Sequence, residues 1–306
     1  MSHIETDHHH DHSVEAVKSL NAAFITAICL NAGYVVIEAV FGFIYDSMGL
    51  LSDAGHNLSD VASLLIAMVA FRLAARKPDS EYTFGYKKFT VQASFINALL
   101  LYAATGAILV ESVGKLFHPA RVDGDAIAWV AAAGVIVNGV TAWLFVKDKN
   151  RDMNIKAAFL HMAADTLVSV GVVVSGFVIH FTGWYILDPL VGIAVALVIA
   201  WTTRGLLVES TRLSIDAVPE SVDMSGLEKA LASVKGVRSL HHLHVWALST
   251  TETALTVHVV LADVTHLNET IAAVKERARR FGIAHSTIEA ETESSPCNDH
   301  LLFTPD

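Results

Sequence analysis

Up to about residue 210 the chain is made almost entirely of apolar runs long enough to cross a lipid bilayer, which requires about 20 mostly apolar residues each. Six such runs are present: LNAAFITAICLNAGYVVIEAVFGFI from Leu20, SMGLLSDAGHNLSDVASLLIAMVAFRLA from Ser47, FTVQASFINALLLYAATGAILVESV from Phe89, AIAWVAAAGVIVNGVTAWLFV from Ala126, AAFLHMAADTLVSVGVVVSGFVIHF from Ala157 and WYILDPLVGIAVALVIAWTTRGLLV from Trp184. Hydrocarbon offers no partner for backbone N–H and C=O groups, so each run is expected to be an α-helix, which pairs its own. The composition agrees with a membrane protein: 53% of the 306 residues are hydrophobic and only 17% are charged.

The short connections set the expected orientation. Arg72, Arg76, Lys77, Lys87 and Lys88 flank the second, Lys147, Lys149, Arg151 and Lys156 flank the fourth, and Arg204 and Arg212 follow the sixth run. The other connections carry little beyond Lys115 and Arg121. Cationic loops stay on the cytoplasmic side, which puts both termini in the cytoplasm. The polar opening MSHIETDHHHDHSVEAVK lacks the apolar core of a cleavable signal. Cys29 within the first run and Cys297 near the end form no disulfide framework. The net charge of −10 arises mainly after Leu213, where thirteen acidic residues stand against seven Lys or Arg, and that excess argues against a nucleic-acid partner.

After STRLSIDAVPESVD the pattern changes. MSGLEKALASV reads as a short amphipathic helix, VRSLHHLHVWALS and ALTVHVVLA alternate as strands, HLNETIAAVKERARRFG reads as a helix, and AHSTIEAE alternates again. The order αββαβ predicts a small ferredoxin-like α+β domain. The expected organisation is a His-rich cytoplasmic tail over 1–17, an all-α six-helix transmembrane domain over 18–212, the cytoplasmic α+β domain over 213–294, and a C-terminal tail over 295–306.

The second run is interrupted by ionisable residues, SDAGHNLSD, and the fifth repeats their spacing as HMAAD. Residues four apart share one helix face, so His56 with Asp60, and His161 with Asp165, each present one imidazole and one carboxylate. The two helices run in opposite directions, and side by side they bring His56 level with Asp165 and Asp60 with His161. That is an N2O2 set, suited to tetrahedral zinc, whereas magnesium or calcium asks for six or more oxygens. A single buried His is ordinarily a hydrogen-bonded packing residue. Charged groups at mid-membrane are costly and mark ion paths, and two identical motifs point to a metal. Asp53, one turn before His56, fits either a second contact in that site or a helix-end acid.

The same residues carry a resemblance. GLLSDAGHNLSD, HMAAD, YTFGYKKFTVQASFINALLL, LHHLHVWALSTTETALTVHVV and HSTIEAE together resemble the cation diffusion facilitator transporters, and specifically their zinc-transporting branch, over nearly the whole chain. The resemblance implies a homodimer in a bacterial inner (plasma) membrane that exports Zn2+ from the cytoplasm in exchange for protons by alternating access, with no enzymatic role. It places the transport site on His56, Asp60, His161 and Asp165, where His56 favours zinc over cadmium. It further implies regulatory metal ligands at His241, His258, His285 and Glu291, and a charge interlock between Lys88 and Asp216. Glu38 and Asn138 match polar family positions along the path, with Asn31 a further candidate contact, and interhelical hydrogen bonding is the plainer role. A second site, which some relatives build from one Asp and two His, is expected to be missing, because Asp79 is followed by Tyr82 and Tyr86. Strand alternation would set His242 and His244 on one face and His241 on the other. Low-affinity zinc collection is the reading for His8, His9 and His10, and for Cys297 with His300, against that of solvated tails.

Other readings are weaker on ligand chemistry. A membrane-embedded zinc enzyme would need an open coordination position, and no His-Glu-x-x-His helix is present. A sensor acting through the cytoplasmic domain would not need paired intramembrane motifs. Among cargoes, cadmium, cobalt and iron remain open, while two imidazoles count against manganese.

Overall fold

The computed structural model describes residues 10–44, 48–117, 124–184 and 186–293, together with Cys297. Six long helices come first: α1 (His10–Ile44), α2 (Met48–Ala74), α3 (Phe89–Phe117), α4 (Gly124–Phe145), α5 (Met153–Thr182) and α6 (Leu187–Ser214). At 1.5 Å per residue even α4, with 22 residues, is about 33 Å long, enough for the hydrocarbon core. Three stretches, Ala22–Phe41, Phe89–Phe117 and Pro189–Ser214, are apolar enough by themselves to be spans. Large apolar side chains including Val36, Phe43, Val110, Trp143, Phe177 and Trp201 point outward, as lipid-facing residues do. The helical domain is integral to the membrane.

Packing places α2 against α1, α3 and α5, and α5 against α2, α3, α4 and α6, so α2 and α5 are central. Small residues allow this close approach: Ala67 and Ala158 join Phe24, Leu64, Phe145, Ile155 and Met162 in one buried cluster, and Ala98 and Ala157 join Val91 and Leu206 in another. Buried threonines satisfy their hydroxyls on the preceding turn, Thr105 on the Leu101 carbonyl and Thr203 on that of Ile199.

The cytoplasmic domain follows as α7 (Met224–Ala232), β1 (Val237–Ala247), β2 (Thr253–Leu261), α8 (Leu267–Arg279) and β3 (Ile283–Glu291), the αββαβ order expected. β2 is central, antiparallel to β1 and parallel to β3. Leu227 and Leu231 of α7 and Val274 and Ala278 of α8 pack on Val245, Leu255, Val257 and Val259 of the sheet. Asp223 caps α7 by accepting from the Gly226 N–H at 3.0 Å. Gly236, at φ +95°, turns the chain from α7 into β1, and a Cβ there would lie 2.3 Å from Thr270 Oγ1.

The two domains meet at the cytoplasmic ends of α3, α5 and α6. Lys88 Nζ donates to Asp216 Oδ1 at 2.5 Å, to the Leu213 carbonyl at 2.9 Å and to the Ala247 carbonyl at 3.0 Å. Lys87 reaches Glu252 at 2.5 Å. The β1–β2 turn docks beside them: the Thr250 N–H donates to Thr90 Oγ1 at 3.1 Å, and its hydroxyl donates to Asp152 Oδ2. The other oxygen of Asp152 caps α5, accepting from the Asn154 N–H at 2.7 Å.

Exposed ion pairs contribute little, but one ammonium serving two backbone carbonyls contributes more. Replacing Lys88 with Met is expected to weaken docking of the β1–β2 turn by about 1–2 kcal/mol. In hydrogen exchange, residues 247–252 would exchange roughly tenfold faster while the α7 and β2 core amides stay unchanged.

Candidate metal centres

α2 and α5 bring three of the four expected intramembrane ligands together. His161 Nε2 lies 2.5 Å from Asp60 Oδ1 and 3.7 Å from Asp165 Oδ2. One donor atom from each of Asp60, His161 and Asp165 falls within 4.8 Å of the others, and all three residues are buried. Zinc bonds of 2.0–2.2 Å in a tetrahedron place ligand atoms about 3.3 Å apart, so small rotamer adjustments would close this set on one ion. Asp60 is only 1% exposed, and its Oδ2 has no hydrogen-bond partner among the described residues. Such a carboxylate oxygen needs a cation, a proton or a donor. His56 lies in α2 one turn before Asp60, but its side chain, like that of Asp53, lies outside the described residues.

Another buried carboxylate, Glu38 of α1, accepts a hydrogen bond from Asn57 Nδ2 at 2.7 Å. Asn57 follows His56 in sequence, so this bond fixes the helix turn that carries the ligand, and nothing in the pattern of α2 singled it out. Asn31 donates to Thr141 Oγ1 of α4 at 3.1 Å, and Asn138 is buried one turn from Thr141. Asn31 thereby ties α1 to α4.

The cytoplasmic sheet holds another cluster. His241 and His258 face each other across β1 and β2. His258 Nδ1 is 2.7 Å from Glu291 Oε1 and 3.5 Å from Cys297 Sγ, and His241 Nε2 is 3.3 Å from Glu291 Oε2. His241, His258, Glu291 and Cys297 therefore offer two nitrogens, an oxygen and a sulfur within 4.8 Å of one another, a donor set suited to zinc. Glu289 adds a carboxylate 3.5 Å from His258 Nε2.

Three expectations need correction here. His285 is not in the cluster: it sits six residues before Glu291 at the far end of β3, about 20 Å away at strand spacing, with its ring edge-on to Phe84 at 5.5 Å. Cys297, assigned to the C-terminal tail, instead folds back onto His258. The strict alternation of His241, His242 and His244 also fails, because β1 bulges between His241 and His244 and His242 takes φ +49°. The bulge turns the His242 ring toward the cluster, 5.1 Å from that of His258 and 5.2 Å from that of His241. His8, His9 and His300 lie outside the described residues, as does the side chain of His10 at the start of α1.

In the loop after α2, Asp79 accepts the Tyr86 hydroxyl at 2.6 Å and the Tyr82 N–H at 2.8 Å. The Tyr86 hydrogen bond, followed by that of Tyr82, holds the Asp79 carboxyl below its ordinary range, and the same contact pushes the Tyr86 hydroxyl up. A phenol harder to ionise is a poorer metal ligand. The ring of Tyr86 lies 4.6 Å from that of Tyr82 and under the Arg76 guanidinium. Lys88 and Asp216, matched as an interlock, are the bonded pair at the domain junction.

Two helical and sheet domains with these centres define a class, and comparison with known proteins gives it a name. Residues 24–213 match the cation efflux transmembrane domain and residues 219–293 the cation efflux protein cytoplasmic domain. The chain belongs to the cation diffusion facilitator (cation efflux) family of membrane transporters and is not an enzyme. It is 32% identical to the cadmium, cobalt and zinc/H(+)-K(+) antiporter of Bacillus subtilis, over 97% of this chain and 96% of that protein. It is 35% identical to the metal cation efflux system protein CzcD of Cupriavidus metallidurans (95% and 90%), and 31% identical to the zinc transporter ZitB of Escherichia coli (95% and 94%).

Two outcomes are expected. With cobalt as a spectroscopic probe, the full-length protein should show a thiolate-to-metal charge-transfer band that Cys297→Ser removes and His285→Ala leaves intact. The Asp79 hydrogen bonds favour the ionised form, so their contribution to loop order should be present above the ordinary Asp value of about 3.9 and be lost as pH falls through the lowered one. Loop amides near Tyr82 should lose protection in that acid range, and Asp79→Asn should remove the pH dependence.

Proposed function

We propose that the protein exports Zn2+ from the cytoplasm in exchange for protons, by alternating access at a site formed by His56, Asp60, His161 and Asp165. The observation that carries this is the contact between His161 Nε2 and Asp60 Oδ1 across α2 and α5, buried in the membrane domain. A hydrogen bond between an imidazole nitrogen and a carboxylate holds one proton between the two atoms that a cation would use. Binding the cation requires that proton to leave, and returning the proton releases the cation. Metal and protons therefore compete for the same groups, which couples their opposite movements.

The two imidazoles and two carboxylates suit zinc. The named cargoes of the relatives, zinc in one case and cadmium, cobalt and zinc in another, agree with this site and leave cadmium and cobalt as secondary substrates. Both termini lie in the cytoplasm on the distribution of Lys and Arg. The protein acts as a homodimer through its cytoplasmic domain, where His241, His258, Glu291 and Cys297 hold a further zinc ion.

In inside-out proteoliposomes with an acidic interior, the native protein should accumulate zinc, and Asp60→Ala and Asp165→Ala should each abolish proton-driven uptake. Persistence of uptake in either variant would move the transport site elsewhere. Lowering the external pH should weaken zinc uptake, because protonated ligands do not bind metal.

A further inference from the structure

Four buried polar side chains lie between the transport ligands and the cytoplasmic ends of α2, α3 and α5, and among the described residues the atoms concerned have no hydrogen-bond partner. Ser63 is one turn beyond Asp60 on α2, Ser94 and Asn97 are one turn apart near the start of α3, and Asn154 is in the first turn of α5. Asn154 precedes His161 by seven residues, which returns it to the same helix face. All four are more than nine-tenths buried. Among the described residues, Ser63 Oγ, Ser94 Oγ, Asn97 Oδ1 and both amide atoms of Asn154 make no hydrogen bond. Asn97 Nδ2 joins α3 to α2 by donating to the Ser63 carbonyl at 3.3 Å.

This differs from several threonines of the helical domain. Thr105, Thr141, Thr166, Thr203 and Thr211 each donate to the carbonyl four residues earlier. The same solution is open to any helical serine, yet Ser63 and Ser94 do not use it. A polar atom left without a partner in a buried site calls for a ligand from outside the chain. Ser94 and Asn97 on α3 and Ser63 on α2, joined by the Asn97–Ser63 bond, stand on the cytoplasmic side of Asp60, whose Oδ2 has no hydrogen-bond partner among the described residues.

We propose that Ser63, Ser94, Asn97 and Asn154 line the route by which the divalent cation passes from the cytoplasm to Asp60, and exchange one by one for the waters of its hydration shell. The proposal rests on the transport site argued above. Neutral hydroxyl and amide oxygens suit this task, because they replace water without holding the ion as a carboxylate would. A group that touches the ion only in passage lowers the barrier in both directions and leaves the end states alone. Its loss therefore slows binding and release together and spares the equilibrium affinity, whereas most substitutions at a binding site act through release.

The test is stopped-flow zinc binding to the full-length protein with a zinc-sensitive dye, in a His241→Ala/His258→Ala background that isolates the intramembrane site. Ser94→Val and Asn97→Leu combined should slow both association and dissociation by about tenfold, with the dissociation constant unchanged within about twofold. Ser94→Thr with Asn97→Gln, which restore the oxygens, should recover the native rates and show that the slowed variant is not misfolded. An unchanged association rate in the apolar variant, or a weakened affinity with normal association, overturns the route. Asp60→Ala is run in parallel: loss of the binding phase supports the site, and its persistence shows that the site reading itself, and the route with it, is wrong.

Discussion

Everything in the helical domain is arranged around the difficulty of keeping Asp60, His161 and Asp165 away from water. An ionised carboxylate in hydrocarbon is stable only with a partner, and Asp60 of α2 finds His161 on α5, so α2 and α5 must touch. That requirement explains why alanines line their contacts with neighbouring helices and why Glu38 and Asn57 are bonded just behind the ligands. The site therefore sets the packing of the bundle as much as the packing presents the site.

The cytoplasmic cluster follows a different logic. Its side chains come from β1, the central β2, the end of β3 and Cys297, on a sheet whose opposite face packs against α7 and α8. The apolar core on that face is built without these side chains. A cation joining β1, β2, the end of β3 and Cys297 would instead tie the tail to the sheet. The intramembrane set proposed for transport offers only nitrogen and oxygen donors, and the cytoplasmic set adds a thiol, a softer donor.

Much of this was legible in the chain because the signals were periodic. Six apolar runs declare six helices, alternation declares the strands, and a spacing of four puts His161 and Asp165 on one face. What escaped was set by single local events or by tertiary contact. The bulge at His242 breaks the alternation on which its facing was inferred. His285 and Cys297 exchange places as neighbours of His258 because position along a strand, and the return of a tail, carry no periodic signal. Asp152 and Thr250, 98 residues apart, carry no signal of each other in the sequence, and only the docked domains show them bonded.

That last contact has a mechanical meaning. One carboxylate of Asp152 begins α5 with one oxygen and holds the β1–β2 turn with the other. Since α5 also carries His161 and Asp165, the helix of the proposed transport site is tied to the sheet at its first turn. A tilt of α5 at its cytoplasmic end must either carry the turn along or shed Thr250 first. The soluble domain is thus geared to the helix bundle, and the stroke of one is limited by the travel of the other.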